Sequence, residues 1–132
     1  MRAGTLFLPG PDVLLSLTAV ENLADAALAA AGWTPGAYNV ADADPYARDA
    51  TVLRVLRAHG ITARIRHLPP GLARTAARAA EALARGGEPL LSRYAVDQLA
   101  HSVVLDLTRA RTQGWTPRHT LDHYLTTLPG GA

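Results

Sequence analysis

Residues 36–67, GAYNVADADPYARDATVLRVLRAHGITARIRH, hold three elements in succession. Gly36-Ala37-Tyr38-Asn39-Val40-Ala41 reads as a buried strand. Asp44-Pro45 then supplies a helix N-cap followed by proline at the first helical position, where its missing N–H costs nothing. That helix continues to His59 and stops at Gly60. Thr62-Ala63-Arg64-Ile65-Arg66-His67 alternates in polarity, which predicts a strand with Arg64 and Arg66 on one side. Strand, helix and strand in series predict an α/β fold.

Toward the N-terminus, Thr5-Leu6-Phe7-Leu8 predicts a short strand stopped by Pro9-Gly10-Pro11, and residues 13–17 predict a second. Thr18-Ala19-Val20-Glu21 has the form of a capping box, in which Thr18 and Glu21 satisfy free backbone amides reciprocally. The helix it opens runs to about Ala31 and ends at Gly32. Val20, Leu23, Ala27 and Ala31 share one face of it, widened by Ala24 and Leu28. Toward the C-terminus, Pro69-Pro70 breaks the chain before an alanine-rich helix over 71–85, closed by Gly86-Gly87. Ser92 can cap a short helix over 93–101, and residues 102–107 predict another strand. A last helix starts near Thr120, with Leu121, Tyr124, Leu125 and Leu128 on one face. The order is ββαβαβααβα: one domain over 1–132, with short strands, about five helices and no complete Rossmann sheet.

The chain has 132 residues, 48% of them hydrophobic, enough for one domain with a core. All 13 basic residues are arginine, and lysine is absent. With heavy use of Ala, Leu, Gly and Pro, this is an actinomycete-like, high-GC composition. The net charge is only +2, and acids intersperse the arginines. No basic stripe with stacking aromatics exists, which argues against a nucleic-acid partner. Cysteine is absent, so there is no disulfide framework and no thiolate metal site. No apolar run has the length of a membrane span, and no signal peptide is read at Met1-Arg2-Ala3-Gly4-Thr5. A cytoplasmic location without a membrane partner is expected.

Leu15-Ser16-Leu17-Thr18-Ala19-Val20-Glu21-Asn22-Leu23-Ala24-Asp25-Ala26, followed by Gly36-Ala37-Tyr38-Asn39-Val40-Ala41-Asp42, resembles the extended short-chain dehydrogenases/reductases of the NAD-dependent epimerase/dehydratase superfamily. Leu91-Ser92-Arg93-Tyr94-Ala95-Val96, Leu105-Asp106-Leu107-Thr108-Arg109-Ala110-Arg111 and Gly114-Trp115-Thr116-Pro117-Arg118 resemble the C-terminal part of its 3β-hydroxysteroid-dehydrogenase-like branch. The resemblance runs from about Gly4 to Leu128. One departure is Arg111-Thr112-Gln113-Gly114, which lacks the leucine usual there. The family's N-terminal half carries a glycine-rich turn for the pyrophosphate. No G-x-G-x-x-G occurs here. Its reduction chemistry uses a Tyr-x-x-x-Lys pair, and Tyr38, Tyr46, Tyr94 and Tyr124 all lack that lysine. Arginine is a poor substitute for the compact ammonium. The resemblance therefore implies a truncated substrate-binding domain without the Rossmann half, and no bound cofactor of its own. The helix over 20–31 and the strand over 37–41 would have lost the partner they pack on. Either a homodimer or a separate nucleotide-binding subunit is expected to cover them.

Several residues are candidates for chemistry. Tyr94 and Asp97 lie three apart on a predicted helix and can share a face as acid and base, with His101 one turn further. The alternative packs Tyr94 inward and leaves Asp97 in solvent. His67 ends a strand before Pro69-Pro70 and can serve as a general base; a surface histidine is the alternative. Asp42 falls where the family places its pocket rim, beside Asp44 and Asp49. Arg64 and Arg66 can hold an anionic group, or face solvent. His119 and His123 have ligand spacing, but no third metal ligand is evident.

Three functions follow. The first is a cofactor-independent acid/base enzyme (a cyclase, isomerase or dehydratase) acting on an apolar, polyketide-like small molecule in actinomycete secondary metabolism. The second is the substrate-binding subunit of a split NAD(P)-dependent oxidoreductase. The third is a non-catalytic binding protein. Resemblance of fold supports architecture and not reaction.

Overall fold

The computed structural model describes residues 2–83 and 93–128. In chain order they form β1 (Arg2–Pro9), β2 (Leu14–Leu15), α1 (Val20–Ala29) with a 3₁₀ turn over Ala30–Gly32, and β3 (Tyr46–Ala47). Then come α2 (Arg48–Ala58), β4 (Ile61–Leu68), α3 (Pro70–Leu83), α4 (Arg93–Ala100), α5 (Thr108–Thr112) and α6 (Leu121–Thr126). This is a mixed α/β arrangement with short strands and, among the described residues, no complete Rossmann sheet. Nor is any described helix long and apolar enough to cross a membrane.

β1 and β4 pair in parallel along their whole length, from Arg2↔Ile61 to Pro9↔Leu68. Parallel strands need a long crossover, and residues 10–60 supply it. Gly60, at φ +74°, makes the left-handed turn that returns the chain from α2 into β4. α2 packs against β4 and α4 against β1. Leu8 is buried, while Phe7 on the opposite face is 54% exposed and Arg64 and Arg66 face solvent. Parallel sheets are ordinarily covered on both faces, so this one is half bare. A second, two-residue antiparallel pair joins β2 to β3.

Among the described residues the core forms three small clusters. Ala26, Ala110 and Trp115 pack with Trp33, Tyr38 and Val40. Ala58, Leu121 and Leu125 pack with Tyr46, Val55 and Leu128. Ala73 and Ala77 of α3 meet Leu68.

Several elements differ from the sequence reading. The stretch 36–41 is not a strand. Tyr38 and Val40 bury against the tryptophans instead, and Thr18 Oγ1 donates to the Val40 carbonyl. The strand expected over 102–107 shrinks to one bridge between Val103 and Leu15. The Ser102 and Ser16 hydroxyls accept the N–H groups of Leu14 and Leu105, displacing ladder carbonyls there. The same exchange shortens the expected strand over 13–17. Asp44 does not cap α2, which starts at Arg48. The amide of Asp49 in its first turn instead donates to Asp12 Oδ1. The capping box does not form either: Ala19 rather than Thr18 stands at the N-cap of α1, and its amide donates to Asp42. α5 is a helix the sequence reading did not include, the sixth α-helix among the described residues, followed by Gly114 at φ +83° turning the chain toward Trp115. Ser92 and Gly86-Gly87 lie outside the described residues.

α1 turns a polar residue inward. Asn22 and Ala26 are buried, whereas Val20, Leu23 and Leu28 are 76%, 54% and 79% exposed. The apolar stripe expected to have lost its partner is open on this chain. Asn22 accounts for the orientation, because four hydrogen bonds hold it inside.

Candidate functional site

Those four bonds organise a cleft. Asn22 Oδ1 accepts from the amides of Arg118 and His119, at 2.9 and 3.0 Å. Asn22 Nδ2 donates to the His119 carbonyl and to Asp42 Oδ1, each at 2.8 Å. Asp42, also buried, accepts the Ala19 amide on the same oxygen at 2.8 Å. Its other oxygen accepts the Tyr46 hydroxyl at 2.9 Å. The Tyr46 oxygen in turn accepts the Leu121 amide at the start of α6. Burial pushes the Tyr46 phenol above its ordinary pKa; the Leu121 amide opposes this, and Asp42 adds to the rise. One polar chain thus ties the start of α1 to the start of α6.

Between those helix starts lies a half-open cleft of about 550 Å³. Leu17, Ala19, Val20 and Leu121 give it mainly apolar walls; Asp42 forms part of its floor, and Glu21 and Tyr124 add polar groups. That volume suits a small molecule. Asp42 thus lines this cleft with its carboxylate already accepting three donors.

A second constellation sits at the carboxyl ends of β1 and β4. His67 Nε2 lies 2.5 Å from Asp49 Oδ2. Asp49 Oδ1 accepts from Arg48 Nε at 2.9 Å. Arg48 is 1% exposed. Its remaining donors go to the carbonyls of Pro9 (2.8 Å), Pro11 (3.0 Å) and Leu99, so one guanidinium holds β1, α2 and α4 together. Burial pushes the Asp49 carboxyl up, and the hydrogen bonds from His67 and Arg48 outweigh it and hold the pKa below its ordinary value.

The expected Tyr94–Asp97–His101 cluster takes a different form. Asp97 pairs with Arg74 of α3 at 2.7 Å, both side chains 48% exposed. His101 Nδ1 lies 2.9 Å from the Asp97 backbone carbonyl, not its carboxylate. Tyr94 belongs to α4, but its side chain lies outside what the structure describes. Among the described residues no contact joins His67 to Asp97. Arg64 lines a shallow depression with Gly4, Thr5, Thr62 and Ala63, and Arg66 is exposed beside it. The rings of His119 and His123 lie 5.2 Å apart, tilted at 55° to each other, and the described residues hold no group of three metal-binding side chains.

Arg48, Asn22 and Tyr46 carry both constellations and were not singled out from the sequence. Asn22 left a signal, since asparagine is a poor residue for a helix interior. Arg48 left none. Comparison of the chain with protein-family models, curated proteins and solved structures finds no match.

Proposed function

We propose that this chain is the small-molecule-binding lobe of a protein resembling the extended short-chain dehydrogenases, taking a largely apolar ligand between α1 and α6. The observation that carries this reading is the 550 Å³ cleft, apolar in its walls and fixed at its floor by the Asn22–Asp42–Tyr46 chain. The quoted family motifs support it, because the starts of α1 and α6 both fall within the resembling segment. Missing from the sequence are the glycine-rich turn and the lysine that self-sufficient redox chemistry in that family would need. A fragment library screened by ligand-observed NMR tests the reading. Saturable binding by apolar fragments that is lost in Thr127→Trp, which fills the cleft from its rim, supports it. Binding unchanged in that variant sinks it.

A second reading, the split oxidoreductase subunit, is favoured by the open stripe of Val20, Leu23 and Leu28. A separate nucleotide-binding chain or a second copy would cover that stripe. Light scattering on the wild type and on Leu23→Glu/Leu28→Glu distinguishes a self-associating chain from one that awaits a different partner. A wild type that stays monomeric alone and in the presence of candidate nucleotide-binding chains counts against this reading.

A further inference from the structure

We propose that the Asp49–His67 pair is a proton-transfer site, with His67 Nδ1 removing an acidic C–H proton from a neutral carbonyl compound. The proposal goes beyond the binding cleft and does not depend on it, since His67 is not among the walls of that cleft.

Three observations carry it. First, the pair is braced more firmly than the surface pairs of the described residues, Arg118–Asp25 (71% and 32% exposed) among them. Arg74–Asp97 is 48% exposed on both sides, and Arg54–Asp122 is 43% and 73% exposed. Asp49 is only 16% exposed and leans on Arg48, whose guanidinium is itself fixed by three backbone carbonyls. A carboxylate so anchored orients an imidazole rather than following it. Second, the tautomer is set. In the neutral imidazole an ionised Asp49, which only accepts, places the proton on Nε2 and leaves Nδ1 its lone pair. Among the described residues Nδ1 has no hydrogen bond, and the imidazole is 43% exposed. Third, the place is right. His67 pairs with Leu8 at the carboxyl ends of two parallel strands, the end at which open α/β sheets take ligands.

The charges select the substrate. Arg48 is buried and spent on Asp49, and Arg66 falls on the opposite face of β4 by alternation. Among the described residues neither of these arginines offers the imidazole a free cation that would draw an anion, so a neutral compound fits best. The step balances within the pair. The C–H electrons move to form an enolate, the proton joins Nδ1, and Asp49 offsets the new imidazolium charge. In a β,γ-unsaturated carbonyl compound the enolate extends into the C=C bond, so return of that proton to the γ-carbon moves the double bond and completes an isomerisation with no oxidant, reductant or cofactor.

The test uses the full chain and 5-nitrobenzisoxazole, a neutral probe whose ring opens when one base removes its C–H proton, releasing a coloured phenolate. The wild-type rate should fall at least about tenfold in His67→Gln and by a smaller factor in Asp49→Asn, and should not change in His123→Gln. A rate equal to wild type in His67→Gln overturns the proposal. Circular dichroism confirms folding of each variant. Should Asp49→Asn unfold, nitrogen NMR of the wild-type imidazole decides the matter instead. A proton on Nε2 at neutral pH supports the assignment, and one on Nδ1 overturns it.

Discussion

Replacing Arg48 by methionine should unfold the molecule more readily than any other single change at its surface or core. Methionine keeps much of the aliphatic volume and removes every N–H donor. Asp49 then loses its charged neighbour, and the carbonyls of Pro9, Pro11 and Leu99 lose their donor together. Breaking a buried ion pair from one side costs about 3–5 kcal/mol. The orphaned carbonyls add about 1 kcal/mol each where water does not reach them. The sum, about 6–8 kcal/mol, is comparable with the whole stability of a modest domain, about 5–15 kcal/mol. Lysine keeps the charge but has three donors in place of five and lacks the planar fork, so Arg48→Lys should cost about 2 kcal/mol. Urea titration followed by circular dichroism measures both, with the slope checked for two-state behaviour. A methionine variant within about 1 kcal/mol of wild type would refute the view that this guanidinium holds three elements together.

Other expectations follow from the polar chain and the core. Tyr46→Phe should cost about 2 kcal/mol, since it strips the donor from Asp42 and the acceptor from the Leu121 amide; equilibrium unfolding measures it. Because the folded Tyr46 pKa lies above its ordinary 10.0, its share of stability is intact below pH 10 and fades as pH climbs through the folded value. A wild-type alkaline melting profile no steeper than that of Tyr46→Phe would contradict this. Asp49 works in the opposite direction: its folded pKa is below 3.8, so its contribution is present above that pH and disappears as acid protonates it. Acid titration of Asp49→Asn should accordingly show a flatter fall in stability than wild type. Leu125→Ala, in the buried face of α6, should lower stability by about 2–5 kcal/mol in the same urea assay.

The parts legible in the sequence were those with local causes. The alternation of 62–67, the stop at Gly60 and the spacing of Leu121 and Leu125 each correspond to an observed element. The illegible parts were built from distant partners. Asp42 serves α1 from 23 positions away, through the Ala19 amide, and Asp12 serves α2 from 37 positions away. The local candidates, Thr18 and Asp44, are therefore left unused as caps. Serine hydroxyls replaced ladder carbonyls at 16 and 102, a substitution that no hydrophobic pattern reveals. At the site, His67 and Asp42 stood out as titratable groups at strand ends. What braced them did not, because burial of an arginine depends on three carbonyls from separate segments. Asp97 lies on α4 as expected and His101 just past its end, but only the folded chain shows that Arg74 takes the carboxylate.

The pairing of β1 with β4 also sets a timetable. Each residue of β1 meets the one 59 positions further along, Arg2 with Ile61 and Pro9 with Leu68. Closing so long a loop costs entropy before any contact rewards it, so the sheet forms late. During synthesis at about 5–20 residues per second, the first strand waits roughly 3–12 s for its mate to be made. Through that interval Leu6-Phe7-Leu8 has no native strand to join. The nascent chain is then most prone to clump, and cooler or slower expression would lengthen the very window it is meant to protect.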